Sequence, residues 1–295
     1  MMKMVDVAII GSGPAGMMTA LQLKRFGMTP LLFEACRVGG LLLNANLVEN
    51  YPGFPEGISG PKLVHLFERQ VCTTGVNVVF EEVLGLDYDG AIFHIKSNRN
   101  SYQSRITVVA SGTKPVPFQP GVISERAWSR VSYDVSSIPG VENCNIAIVG
   151  AGDAAIDYAF TLERCNSVQI LNHNHSVKCL PLLWNRLSES RRILYQAEIE
   201  VVSVFSRADG GLLLKCNCPD GEVAIEVDYL IGALGRVPRL DFVSSRLFEK
   251  IQELESQGNL YLIGDVKNGR YRQTAIAIGD GLMAAMKIYH LMEAQ

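Results

Sequence analysis

The chain has 295 residues, enough for one large domain or for two of ordinary size. Apolar residues make up 48% and charged residues 19% of the sequence, which is typical of a globular protein rather than a disordered one. The formal net charge of −3 gives no reason to expect nucleic acid or an anionic membrane as a partner. No apolar run reaches the roughly 18 residues of a membrane-spanning helix, so no membrane span is predicted.

The beginning of the chain and the cysteines lead us to expect a cytoplasmic protein. The first motif starts within about ten residues of Met1, which leaves too little chain for a secretory signal peptide. The seven cysteines are an odd number, lie scattered along the sequence and form no CxxC pair. Free thiols in a reducing compartment are therefore the expected state.

The first structural unit is predicted close to the amino terminus. The apolar run Met4 to Ile10 is typical of a buried parallel strand and leads directly into "GSGPAG". A helix is predicted from about Pro14 to Phe26, followed by the strand "TPLLFEA", which contains Glu34. A strand, a glycine turn, a helix and a second strand ending in an acid are the parts of a dinucleotide-binding unit.

Each glycine of this turn has a mechanical task in such a unit. Gly11 allows the tight turn, Gly13 lets the backbone approach a pyrophosphate, and Gly16 permits close packing of helix and strand. The helix N-terminus offers free N–H groups to phosphates, and Glu34 can accept hydrogen bonds from ribose hydroxyls. The alternative is a glycine-rich turn in an ordinary α/β protein.

The same pattern recurs about 140 residues later in "NIAIVGAGDAAIDYAFTLERCNSVQIL". A strand over Ile146 to Val149 is predicted to enter the turn of Gly150 and Gly152, and a helix and a strand over Val168 to Leu171 follow. The repetition indicates a second nucleotide-binding domain. The segment after its second strand, "NHNHSVK", contains neither the carboxylate nor the arginine that would select a ribose hydroxyl or a 2′-phosphate.

The remaining segments predict that the second unit is inserted into the first. The strand and turn "ITVVASGT" lead into the proline-rich "KPVPFQPG", which is predicted to be a linker out of the first domain. The chain returns through "YLIGALGRVPRL" to a further strand, "NLYLIGDV", and a carboxy-terminal helix. We therefore predict an α/β fold with two Rossmann-like, three-layer ββα domains: a discontinuous domain over 1–114 and 241–295, and an inserted domain over 118–238.

These segments together resemble the low-molecular-weight thioredoxin reductase family of flavoproteins, over nearly the whole chain. The similar stretches include "GSGPAG", "EACRVGG", "VENYPGFPEGISGPKL", "GAGDAA", "GALGRVP" and "LIGDVKNGRYRQTAIAIGDG". The resemblance implies FAD in the first domain, a pyridine nucleotide such as NADPH or NADH in the inserted domain, and a homodimer.

The resemblance also implies which residues hold each ligand. The FAD residues would comprise the glycine turn, the ribose acid, the loops near the flavin and the start of the last helix: Gly11, Gly13, Pro14, Ala15, Gly16, Glu34, Gly39, Gly40, Asn44, Asn50, Val83, Ala110, Gly112, Gly264, Asp265, Arg272, Gln273, Thr274 and Ala275. The nucleotide residues of the inserted domain would be Gly150, Gly152, Asp153, Ala154, His173 and Lys178. Asn50 and Thr274 could instead be simple turn and N-cap residues.

The sequence departs from the family at the redox disulfide. Aligning "VSYDVSSIPG" with that segment places Asp134 and Ser137 where the two cysteines would stand. Neither residue can undergo thiol–disulfide exchange. Asp134 could be a proton donor near flavin N5 or a solvent-facing loop carboxylate, and we favour the second interpretation. Cys216 and Cys218 share one face of a predicted strand and could be a replacement pair, although a CxC centre is rare.

The second departure lies in the nucleotide-selecting segment. Asn172, His173 and Asn174 stand where NADPH-using relatives have His-Arg-Arg, and Lys178 replaces a further arginine. Loss of two bidentate guanidinium groups predicts weak NADPH affinity, unless His173, His175 and Lys178 form a looser cationic site. NADH, NADPH and a second flavin remain open for this domain. No metal site is predicted.

Three functions remain open, and no catalytic residue is assigned. The first is an FAD-dependent oxidoreductase that moves electrons between a pyridine nucleotide and a carrier such as ferredoxin. The second is a divergent thioredoxin-reductase-like enzyme with a donor other than NADPH or with another acceptor. The third is a flavin-binding sensor or subunit without turnover.

Overall fold

The computed structural model describes residues 3–138 and 140–294 of the chain. The predicted domain ranges also include residues 1, 2, 139 and 295, which lie outside the described residues. The chain forms two compact units. Unit 1 comprises Met1–Leu43, Val48–Lys114 and Val237–Gln295, and unit 2 comprises Asn44–Leu47 and Pro115–Arg236.

The amino-terminal part of unit 1 begins with the strand–turn–helix–strand order expected from the sequence, and a second helix and further strands follow. The elements are β1 (Lys3–Ile10), α1 (Pro14–Arg25), β2 (Leu31–Glu34), α2 (Gly60–Thr73), β3 (Asn77–Phe80), β4 (Val83–Tyr88), β5 (Phe93–Ser97), β6 (Ser101–Val109) and β7 (Thr113–Pro115). A short 3₁₀ helix covers Gly40–Asn44.

The middle of the chain builds the strands and helices of unit 2, and the chain then returns to unit 1. The elements are β8 (Val131–Ser132), β9 (Asn145–Val149), α3 (Asp153–Leu162), β10 (Ser167–Asn172), α4 (Pro181–Glu189), β11 (Ile193–Ala197), β12 (Glu200–Ser206), β13 (Leu212–Cys218), β14 (Gly221–Val227), β15 (Tyr229–Gly232), β16 (Arg236–Pro238), α5 (Ser245–Phe248), α6 (Ile251–Gln257), β17 (Leu260–Leu262) and α7 (Thr274–Glu293). Further 3₁₀ helices cover Glu125–Arg130, Val135–Ser137 and Gly264–Val266.

Unit 1 is built on a parallel sheet with β1 at its centre. The parallel order is β3-β2-β1-β6-β17, and the antiparallel hairpins β4–β5 and β5–β6 extend from the first half of β6. Strands buried on both faces are near-continuous apolar runs, and β1 shows this directly. Ala8 and Ile10 pack into one hydrophobic core, whereas Val7 and Ile9 pack into a second core with side chains of α1 and α7.

The contact between α1 and α7 depends on one glycine. A Cβ on Gly281 would lie 2.3 Å from the carbonyl oxygen of Ala15, so only glycine lets the two helices approach this closely. The Thr19 hydroxyl lies 3.2 Å from the Gly281 carbonyl oxygen and donates to it. This crossing holds the carboxy-terminal helix against the helix that begins at the first glycine turn.

Unit 2 repeats the same plan on a smaller scale. Its parallel sheet has the order β11-β10-β9-β15-β8, and β12, β13 and β14 form a separate antiparallel sheet. Ile146 and Ile148 of β9 pack with α3, whereas Ala147 and Val149 pack with the antiparallel sheet. The predicted three-layer architecture with two Rossmann-like domains is therefore confirmed, as are the predicted strands, turns and helices around both glycine motifs.

A buried carboxylate organises the turn before β4. Glu81 accepts hydrogen bonds from Ser97 Oγ at 2.5 Å, Asn100 Nδ2 at 2.8 Å and the Tyr102 hydroxyl at 3.0 Å. Burial raises the pKa of Glu81, but these hydrogen bonds outweigh it and hold that pKa below its usual value. The cluster fixes the chain just ahead of Val83.

Candidate functional site

Two glycines of the turn after β1, Gly11 and Gly16, leave no space for a side chain. Gly11 has φ of +104°, and a Cβ at this position would lie 2.5 Å from the Ala110 carbonyl oxygen. A Cβ on Gly16 would lie 1.9 Å from the carbonyl oxygen of Gly11. The turn therefore packs backbone against backbone with β6, and larger side chains are excluded.

The start of α1 is open and electropositive. Gly13 is its N-cap residue, and a Cβ there would meet no atom within 4 Å. The first turn contains no acidic residue, and its first N–H groups have no intrahelical acceptor. An anionic group can approach these N–H groups, and the helix dipole favours it. This geometry fits the phosphate-binding role that the sequence predicts for the turn.

Three of the other predicted FAD segments lie beside this turn. Gly40 lies against Gly13, since a Cβ on Gly40 would be 3.3 Å from Gly13 Cα. Gly264 lies against Ala15, with 2.9 Å from its would-be Cβ to Ala15 Cβ. Glu34 at the end of β2 accepts hydrogen bonds from Ser12 N and Ser12 Oγ at 3.1 and 2.6 Å. Residues far apart in sequence therefore lie around the first glycine turn.

The start of α7 carries another part of the predicted site. Asn50 Nδ2 donates to Gln273 Oε1 at 2.8 Å, across 223 positions of sequence. Gln273 is the N-cap residue of α7, which has no acidic residue in its first turn. Thr274 and Ala275 follow it as the first residues of this helix. Asp280 on the same helix accepts from the Gly264 N–H at 3.0 Å and so fixes the preceding loop.

The remaining residues predicted to bind FAD occupy varied positions. Val83 is buried at the start of β4, and Gly112 has φ of +65° with open space at its Cβ position. Asp265 lies in the 3₁₀ helix after β17, and Arg272 lies just before α7. Asn44 belongs to unit 2 by its contacts. Its side-chain oxygen accepts from the Ser136 N–H at 3.0 Å and its amide donates to Asp134 Oδ1 at 3.2 Å.

The second glycine turn, in unit 2, also contains a glycine with positive φ that is packed against a backbone carbonyl oxygen. Gly150 has φ of +122°, and a Cβ there would lie 2.3 Å from the Ala233 carbonyl oxygen. Gly152 is the N-cap of α3 and pairs with Lys178 in an isolated β-bridge. Unlike α1, this helix has an acid in its first turn. Asp153 is its first residue, and Ala154 follows it. The Asp153 carboxylate accepts from the Leu180 N–H at 2.8 Å.

The nucleotide-selecting segment is organised by a buried asparagine. Asn172 is 3% exposed, and its amide donates to the Tyr195 hydroxyl at 2.8 Å and to the Ser176 carbonyl oxygen at 3.1 Å. Its side-chain oxygen accepts from the Asn174 N–H at 3.2 Å. Asn172 therefore shapes the loop, and both N–H groups of its amide are used inside the protein.

The basic side chains of this loop are exposed. The ring of His173 is 2.9 Å from Asn174 Nδ2, and His175 Nδ1 lies 3.5 Å from Glu198 Oε2. Lys178 is exposed, while its backbone lies beside the second glycine turn. Among residues 3–138 and 140–294, no group of three or more His, Cys, Asp and Glu could hold a metal ion.

Asp134 lies in a partly buried polar network rather than facing solvent, which corrects our preferred interpretation from the sequence. Arg236 Nη1 lies 3.0 Å from Asp134 Oδ1, and the two side chains are 18% and 25% exposed. Tyr158 Oη and Asn44 Nδ2 donate to the same oxygen at 3.3 and 3.2 Å. Burial and the nearby Asp134 carboxylate both raise the pKa of Tyr158. Three donors thus converge on one carboxylate oxygen.

The cysteines are all free thiols in the structure. Cys216 is 1% exposed within the core between β9 and β13. Burial, with a smaller contribution from neighbouring Cys218, raises the pKa of the Cys216 thiol to about 11. A thiol with this pKa is a poor nucleophile at neutral pH, because the thiolate is the reactive form.

Sequence reasoning missed three residues that shape these sites: Ser12, Asn172 in its buried role, and Arg236. Ser12 stands at a variable position of the glycine motif, and Arg236 lies 102 positions from its partner Asp134. The only available signal for Ser12 was a small hydroxyl residue between two glycines, next to a strand end that carries an acid.

Comparison with known proteins places this fold and these turns in one family. The family model for pyridine nucleotide-disulphide oxidoreductases matches residues 5–281, and the chain belongs to that family. Thioredoxin reductase from Chlamydia pneumoniae is 27% identical over 94% of this chain and 96% of its own length. The mitochondrial thioredoxin reductase 2 of Saccharomyces cerevisiae is 28% identical, over 98% and 92%. Lactococcus lactis thioredoxin reductase shares the fold, with a TM-score of 0.85 at 24% identity over 99% and 100% of the two chains.

The family supports FAD as the cofactor, and the residues of unit 1 fit it. The open space at Gly13 and the free N–H groups of α1 suit a pyrophosphate, and the carboxylate of Glu34 suits a ribose. No helix in the described part of the chain combines the length and apolar character needed to cross a membrane.

Proposed function

We propose that this chain is an FAD-dependent oxidoreductase that passes electrons between a pyridine nucleotide and a carrier such as ferredoxin, without a redox disulfide. Unit 1 would be the FAD domain, which the sequence predicts over 1–114 and 241–295, and unit 2 would be the inserted nucleotide domain, which the sequence predicts over 118–238. Bound FAD supplies two-electron chemistry with the nucleotide and one-electron chemistry with the carrier. The protein would act as a cytoplasmic homodimer.

The network at Asp134 carries this proposal. By its resemblance to thioredoxin reductases, the chain has Asp134 and Ser137 at the positions of the redox cysteines. The Asp134 carboxylate is ion-paired with Arg236, and exposed Ser137 donates its backbone N–H to the Asp134 carbonyl oxygen at 3.1 Å. Carboxylate and hydroxyl groups cannot exchange electrons by disulfide chemistry. Electrons would therefore leave the flavin for an acceptor other than a neighbouring sulfur pair.

The chain's own residues would hold FAD in unit 1 by its phosphates, its ribose and its ring system. The N–H groups at the start of α1 would bind the pyrophosphate, and Glu34 would accept a hydrogen bond from the adenosine ribose. Asn50 and Gln273, which are hydrogen-bonded to each other, would approach the flavin. The free N–H groups at the start of α7 would stabilise negative charge on the reduced ring.

The nucleotide-selecting segment, Asn172 to Lys178, supports a second candidate, an enzyme of this family whose donor is not NADPH. His173, Asn174 and Lys178 provide no guanidinium group for a 2′-phosphate, and Asn172 is committed to the loop itself. Lysine is a point charge and does not replace a bidentate arginine. NADH or another donor, or an acceptor such as a quinone or oxygen, would then serve the flavin. A flavin-binding sensor or subunit without turnover is the third candidate.

The experiment is an anaerobic titration of the purified protein with NADPH, NADH and reduced ferredoxin, followed by the flavin absorbance. Rapid bleaching by NADPH supports the first candidate, and bleaching by ferredoxin alone supports the second. Failure of all three reductants would favour the sensor or subunit. A protein that takes up no flavin would contradict all three candidates.

A matched pair of variants tests the role of the second glycine turn. Lys178→Gln should slow flavin reduction by a pyridine nucleotide, because the exposed ammonium lies on the segment that pairs with Gly152. Lys215→Gln is the control, since Lys215 lies on β13 and contacts the Phe205 ring. FAD content should be the same in both variants. Equal rates in the two variants would contradict nucleotide binding at this loop.

A further inference from the structure

Ser12 connects three segments of the predicted FAD site. It is fully buried in the glycine turn. Its N–H and its hydroxyl both donate to Glu34 Oε2, at 3.1 and 2.6 Å. Its carbonyl oxygen accepts from the Gly39 N–H at 3.0 Å. One small side chain thus ties the glycine turn to the acid at the end of β2, while its backbone ties the turn to the loop that contains Gly39.

Glu34 is held from both sides by these contacts. Oε2 receives both donors of Ser12, and Oε1 receives the Cys36 N–H at 3.0 Å. A carboxylate has about four acceptor positions, two on each oxygen. Oε2 is therefore saturated by the protein, whereas Oε1 keeps one open position. The orientation of the carboxylate is set before any ligand arrives.

The geometry points to Ser12 as a positioning residue for FAD, acting through Glu34. Ser12 directs the open acceptor position of Glu34 Oε1 toward a hydroxyl donor, which we assign to the adenosine ribose of FAD. A free hydroxyl can donate there, whereas a phosphate group would be repelled by the carboxylate. This inference rests on the proposed binding of FAD in unit 1. It adds to that proposal the positioning role of Ser12.

The test is a double-mutant cycle on FAD affinity, using protein stripped of flavin. Ser12→Ala should weaken FAD binding about tenfold, because a charge-assisted hydrogen bond that orients Glu34 is lost. Glu34→Ala should weaken FAD binding at least as much. In the Glu34→Ala background, Ser12→Ala should have no further effect, since Ser12 acts through Glu34.

The matched control is Ser104→Ala. Ser104 is also fully buried, and its hydroxyl is 2.8 Å from the Thr107 hydroxyl within β6. Removing it deletes a buried hydroxyl pair away from Glu34, so FAD affinity should stay within about twofold of the parent. Where Ser12→Ala fails to fold, Ser12→Cys keeps a side chain of similar size and replaces a strong donor by a weak one.

The outcomes separate the inference from the function on which it rests. If the parent protein binds no FAD, the proposed function fails and the role of Ser12 fails with it. If the parent binds FAD but Ser12→Ala retains full affinity, only the role of Ser12 is overturned. Full additivity of the Ser12 and Glu34 effects would overturn it too, because two independent contacts would then be at work.

Discussion

Asp134→Asn is the substitution whose effect can be worked out most fully from the structure. It removes the charge of the Asp134 side chain but keeps its shape. Asp134 Oδ1 accepts from three donors. In its ion pair with Arg236, the Arg236 side chain is 18% exposed and the Asp134 side chain is 25% exposed. Breaking a fully buried ion pair costs about 3–5 kcal/mol, whereas an exposed pair is worth about 0–1 kcal/mol. Because the Asp134–Arg236 pair is partly buried, we expect Asp134→Asn to lower the free energy of unfolding by about 2 kcal/mol.

Tryptophan fluorescence during urea unfolding is a suitable assay for this loss. The chain has two tryptophans, Trp128 and Trp184, and both lie in unit 2 with Asp134. For a urea dependence of about 2 kcal/mol per molar, a loss of about 2 kcal/mol lowers the midpoint by about 1 M. The probe therefore reports on the unit that contains the perturbation.

Asp241→Asn is the control for this prediction. Asp241 Oδ1 lies 2.5 Å from Lys114 Nζ, closer than the Asp134–Arg236 contact, but the two side chains are 63% and 43% exposed. Solvent screening should make the control indistinguishable from the parent, despite the shorter distance. Equal shifts for the two variants would refute the argument that burial, rather than distance, determines the strength of these pairs.

Three further outcomes follow from titratable groups that are buried or partly buried. Glu81→Gln should lower the free energy of unfolding by about 1–3 kcal/mol at pH 7, and the difference should shrink as pH falls through the lowered pKa of this carboxylate, as denaturation across pH would show. Burial raises the pKa of Asp157, so the contribution of its carboxylate falls as pH rises through that pKa. As pH rises above about 4, the stability of Asp157→Asn relative to the parent should therefore increase, and a difference that does not change with pH would contradict this. Mass spectrometry after brief thiol alkylation of the native protein should find exposed Cys72 labelled and buried Cys216 unlabelled.

Much of the fold could be predicted because it has local signatures. Both glycine turns, their flanking strands and helices, and the return of the chain after the insertion follow from apolar runs and glycine spacing. The predicted helix from about Pro14 to Phe26 is observed over Pro14–Arg25. The predicted strand with Cys216 and Cys218 is observed as Leu212–Cys218. These elements are determined by residues close together in the sequence, so apolar runs and glycine spacing predict them.

The contacts of Asp134 could not be predicted in the same way. Its partners Asn44, Tyr158 and Arg236 come from three distant segments, and no periodicity links them. The assignment of Asn44–Leu47 to unit 2 was missed for the same reason. Asn46 N donates to an Asp157 side-chain oxygen at 2.8 Å, a contact that only tertiary structure brings about. Polar networks between distant segments depend on exact placement, which composition does not encode.

The nucleotide-selecting segment could be predicted only in part. The absence of arginine from the segment Asn172 to Lys178 is evident from the sequence and predicts weak NADPH binding. The reason that Asn172 cannot take over the role of an arginine is visible only in the structure, where both N–H groups of its amide are used inside the protein. The residue type alone therefore does not tell whether Asn172 can bind a nucleotide, because burial and hydrogen-bond partners decide whether its side chain is available.

The central claim is that the flavin of this protein works without a sulfur pair, and counting electrons tests it most directly. The purified protein is titrated anaerobically with dithionite, and the electrons consumed per bound FAD are measured from the flavin absorbance. Reduction of the flavin alone requires about two electrons per FAD, whereas a flavin coupled to a redox disulfide requires about four. We predict an end point at about two. An end point at about four would contradict the account, because it would show a disulfide in electronic contact with the flavin.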